Sequence, residues 1–192
     1  PVSAIKPKIR DSQTRVSAAD SIIGASSRDD EEEIVQLWKQ CSGHHSLKIF
    51  YEEYAGGLPI AERAKSAEGI VVVVGEIMAV IADQDAHSKN GSLKTWQNES
   101  SILAKYREHK DLLTDSTYSR EKLGDRVLLA KKLGEAFAQL KKTCTTESDR
   151  EVQKIWKEYG DDLNQYESVE PLKPNIADAE TRVRAVDDMI VA

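Results

Sequence analysis

Two cysteines in 192 residues are too few for a disulfide framework. Cys41 and Cys144 either stand as separate thiols or form one bridge, and a bridge would put the chain in an oxidising compartment. Without one, the lack of a visible leader or lipidation pattern leans towards the cytoplasm. A membrane-spanning helix needs about 18 apolar residues in a row, and Glu68 and Glu76 cut the longest run short of that. Phosphate-binding loops are missing as well. No Gly-rich loop ends in Lys-Ser or Lys-Thr, and Gly69 and Gly75 belong to no dinucleotide fingerprint. Asp83-Gln84-Asp85-Ala86-His87-Ser88 starts like a calcium loop, but Ser88 stands where the bend wants glycine.

Candidates for chemistry are equally scarce. Cys41-Ser42-Gly43-His44-His45 is the one compact group of soft ligands, and it supplies at most three of the four that zinc takes. A Cys41 nucleophile would need His87 or His109 brought in by the fold. The acidic run from Asp29 to Glu33, and the Asp161-Asp162 pair, read as solvated helix-end charge, because nothing apolar surrounds them to raise a pKa. No catalytic residue, metal or cofactor is therefore expected, and the chain reads as a non-enzyme.

What the sequence does have is helical periodicity and charge. With 40% hydrophobic and 31% charged residues it is a globular composition. The centre is the stretch from about residue 59 to 85, whose core, GIVVVVGEIMAVIA, carries Glu76 as its one charge. Ile70 to Val74 could form a buried strand, but no second run of that character exists to pair with it. As a helix, the stretch places Pro59 in its first turn and aligns Ile60, Ala64, Ala67, Val71, Val74, Met78 and Ile81. Val72, Val73, Ile77 and Val80 then widen that face almost around the rod, so neighbouring helices should surround it.

The flanks read as amphipathic helices. One starts after Asp30 with Ile34, Leu37, Trp38 and Cys41 on its face, and a second, Ser46 to Tyr54, stops at Gly56-Gly57. Others follow from Ser92 to about Leu113, from about Arg120 to Lys142, from a Thr146–Asp149 capping pair onward, and from Asn175 to the end. The expected fold is all-α, a single-domain bundle of six or seven helices over residues 28–192, with a flexible arm at 1–27. Ile5, Ile9, Val16, Ile22 and Ile23 are spaced loosely in that arm and would anchor it to a partner or to the domain.

Function follows from this architecture as a class. A protein-interaction, scaffold or effector domain is the leading expectation, with a protein partner or self-association. Its contact residues are taken as Leu128, on the polar side of its helix, with Lys131, Lys132, Lys105 and Arg107. Residues 89 to 146 hold 12 Lys and Arg against 7 Asp and Glu, so a nucleic-acid-coating role for the 92–142 helices is the first alternative. A carrier of a small apolar ligand is the second, with Trp38, Phe50, Tyr54 and Met78 lining its cavity.

Overall fold

The structure, a computed structural model, describes residues 2–41, 54–55, 57–89, 92–146 and 148–191. The protein is an all-α helical bundle. Eight α-helices are found among the described residues: α1 (Val2–Ser27), α2 (Glu31–Cys41), α3 (Ile60–Lys89), α4 (Trp96–Glu108), α5 (Lys110–Leu113), α6 (Thr117–Thr146), α7 (Asp149–Leu163) and α8 (Lys173–Val191). A 3-10 helix, Glu167–Leu172, leads into α8. The only sheet among the described residues pairs β1 (Tyr54–Ala55) with β2 (Leu58–Pro59), and Gly57 turns between them at φ 82°, a left-handed conformation that glycine adopts without strain. The Ser46–Tyr54 helix anticipated ahead of this turn lies mostly outside the described residues. No helix among those described is long and apolar enough to cross a membrane.

The chain forms two compact units, Pro1–Glu76 with His109–Leu123, and Ile77–Glu108 with Gly124–Ala192. The division falls inside α3 and inside α6, so no linker marks it in the sequence. The core of the first unit is made by Ala19, Ile22 and Ala25 of α1, Ile34 and Val35 of α2, Ala55, and Ile60, Ala64 and Ala67 of α3. That of the second is made by Leu133, Ala136 and Leu140 of α6, Val152, Ile155 and Leu163 of α7, Tyr166, Val169, and Ile176 and Ala179 of α8.

The stretch anticipated as an arm is helical from its second residue. Residues 5–14 are exposed, but Ala19, Ile22 and Ala25 are buried, so the packed domain begins well before residue 28. The reason this end was hard to read lies at Asp29. There the chain takes φ 53°, the Asp30 N–H donates to the Ala25 carbonyl at 3.1 Å, and the Asp29 N–H donates to that of Ser26 at 3.2 Å. This is a Schellman stop with aspartate in the left-handed position usually held by glycine. Asp30 then caps α2, its carboxylate accepting from the Glu33 N–H at 3.0 Å.

α3 matches the predicted central helix, but its burial is one-sided. Ile60, Ala64, Ala67, Ile70, Val74 and Ile77 are buried, while Val72 and Met78 are 53% and 43% exposed. Glu76 lies on the exposed side, which answers how a carboxylate fits an apolar helix. Gly69 is contacted by Leu112, 3.4 Å from where a Cβ would stand, whereas Gly75 faces open space. Gly160 of α7 is buried because the Trp156 ring lies over it, at 3.0 Å from a virtual Cβ. The predicted Thr146–Asp149 cap is not formed. Thr146 ends α6 and donates to the Lys142 carbonyl at 3.3 Å, leaving Ser148 at the head of α7.

Ile22→Ala should lower the unfolding free energy by about 2–4 kcal/mol, as cavity-forming core truncations do, while Ile9→Ala stays within about 0.5 kcal/mol. Urea unfolding of both variants checks this, and equal effects would mean that α1 does not belong to the core.

Candidate functional site

Charged residues are used in two ways in this fold, and only one of them faces solvent. In the second unit, Glu99 is 0% exposed although it sits in the first turns of α4. It lies at helical spacing with Trp96, Leu103 and Tyr106, on the face α4 turns inward. A buried carboxylate needs donors. Arg126 of α6 supplies a two-pronged contact, its Nη1 donating to Glu99 Oε2 at 2.9 Å and its Nη2 to Oε1. The Tyr166 hydroxyl also donates to Oε1. Arg126 Nη2 donates further to Gln84 Oε1 at 2.8 Å, and Gln84 Nε2 donates to the Thr95 carbonyl at 3.2 Å.

Backbone pairing sets this cluster up. The Lys94 N–H donates to the Gln165 carbonyl at 2.7 Å and the Glu167 N–H to the Lys94 carbonyl at 3.1 Å, which carries Tyr166 alongside the start of α4. Trp96 closes the cluster with its ring centroid 5.1 Å from that of Tyr166 and 4.9 Å from that of Phe137.

Burial alone would raise the pKa of Glu99, but the hydrogen bonds from Arg126 and Tyr166 outweigh it and hold the carboxyl below its ordinary value. Burial and the bond to Glu99 together push the Tyr166 phenol up. The cluster is thus an ionised carboxylate locked among donors. It can fix geometry, but it has no proton to exchange near neutral pH.

In the first unit, Arg63 of α3 donates to Glu31 of α2 at 2.6 Å with both side chains buried. Beside it, Thr117 donates to Asp29 at 3.0 Å and the Tyr118 hydroxyl donates to Glu32, tying the head of α6 to that of α2. Burial, then the bond to Glu32 and the neighbouring acids, push Tyr118 up to about 12. The acidic run expected as solvated helix-end charge therefore includes a buried member, Glu31, and several bonded ones.

The outward-facing chemistry lies elsewhere. On α1, Ile5, Ile9 and Val16 are 53%, 52% and 46% exposed. Ile9 and Val16 line a groove of about 920 Å³ that runs from Lys8 to Gly24 and is walled by Arg28 and Glu33 of the α1–α2 corner. Among the predicted contact residues, Leu128 is 51% exposed, Lys131 and Lys132 are exposed on the same face of α6, Arg107 is exposed on α4 and Lys105 is half-buried. Arg126, one of the 12 Lys and Arg counted between residues 89 and 146, turns inward to Glu99.

Of the residues proposed to line a ligand cavity, Trp38 packs at the edge of the first unit's core and Met78 is exposed. Phe50 and the Tyr54 side chain lie outside the described residues, as do the side chains of Cys41, His44, His45 and His87. Cys144 is a free, half-buried thiol, and burial pushes its pKa up.

Sequence reasoning missed the Glu99 cluster because α4 alternates charge in the manner of a solvated helix. The readable signal was position: Glu99 interrupts the Trp96, Leu103 and Tyr106 face, and Arg126 borders the Leu123, Val127 and Ala130 face. No family model, curated protein or solved structure matches the chain.

Arg126→Met should destabilise by about 3 kcal/mol or more, because it strands a buried carboxylate. The pH dependence has a defined sign. A carboxyl held below its ordinary 4.5 stabilises the fold above that pH and loses the contribution as pH falls further. The stability gap between wild type and Glu99→Gln should therefore narrow in acid, and a gap that widened would refute the assignment. For Tyr118 the sign is opposite. A phenol raised from 10 to about 12 contributes in full below pH 10 and loses its contribution as pH rises through 12. The gap between wild type and Tyr118→Phe should stay flat to pH 10 and then shrink. A constant gap up to pH 12 would count against the Glu32 contact.

Proposed function

We propose that this chain is a non-catalytic helical interaction domain that binds protein through exposed helix faces, with the outer face of α1 as its main contact. One observation carries the reading. α1 is two-sided: Ala19, Ile22 and Ala25 enter the core, while Ile5, Ile9 and Val16 stand exposed along another face, the last two lining a groove. Single exposed aliphatics are ordinary on a protein surface. Three large ones in succession along one helix, rimmed by Lys8, Gln13 and Asp20, have the make-up of a surface that a partner covers.

The buried charges support the non-catalytic side. Glu99 and Glu31 are each matched by an arginine inside the fold, so their carboxylates serve packing between helices. Leu128 and Leu129 are exposed on α6 next to Lys131 and Lys132. Apolar and basic side chains mixed in this way favour a protein contact over a phosphate-tracking strip, which would be uniformly basic. Scaffold and effector roles fall within the same class.

The test needs point substitutions, because deleting residues 1–25 would also remove Ala19, Ile22 and Ala25 from the core. Ile5→Asp, Ile9→Asp and Val16→Asp combined should leave the far-UV circular dichroism and thermal midpoint nearly unchanged. Proteins retained by the immobilised wild-type chain should be lost by this triple variant, as measured by quantitative mass spectrometry. Identical retention by the two would refute α1 as the binding face.

A further inference from the structure

We draw no further inference here: the strongest candidate, the exposed apolar face of α1 formed by Ile5, Ile9 and Val16, is the surface already proposed to bind protein, and nothing in the structure shows what covers it.

Discussion

A carboxylate taken out of water must find donors, and the arrangement of the second unit answers that requirement at Glu99. Its partners come from separate parts of the chain. Arg126 is on α6, Tyr166 on the turn after α7, and Gln84, near the end of α3, joins through Arg126. Each contact restricts where the next helix can lie. A buried ion pair is weak evidence for net stability, since desolvation offsets much of the attraction. Its stronger effect is on uniqueness, because a slip of α4 by one residue would move Glu99 away from both donors and leave three polar groups unmatched.

The first unit applies the same rule at smaller scale, with Glu31 and Arg63 paired between α2 and α3. Here the pair accompanies a helix with two different duties. The inner face of α1 contributes small and branched residues to a core shared with α2 and α3, while its outer face leaves isoleucine and valine in water. The inner contacts hold the outer face as a ready-made helix. A partner binding there would not bear the entropy cost of ordering it, and such pre-organisation is what makes a short helical contact useful.

Legibility varied with how local the signal was. α2, α3, α6 and α7 were readable because their apolar residues recur at helical spacing within the segment itself. The end of α1 was not, because the stop uses Asp29 in a conformation that glycine normally marks. Leu128 was readable as an outer residue from its place on the polar side of α6, and it is exposed. The Ile5, Ile9 and Val16 row was visible as loose anchors, yet their common helix was not. Glu99 and Arg126 were hidden for a plain reason: the letters of a solvated salt bridge and of a buried one are the same.

By itself, the sequence determined helix-forming segments, because the 3.6-residue repeat and the start signals are properties of neighbouring residues. It also determined that the segment containing Val71 to Val74 would be the most apolar of these. Only the tertiary structure decided which side of that segment is covered. An all-round apolar helix carries no mark of its neighbours, so Val74 came to be buried and Val72 exposed according to where other helices end. The same holds for charge. Whether a glutamate is dissolved or locked depends on an arginine many residues away, and that distance in sequence carries no force until the chain has folded.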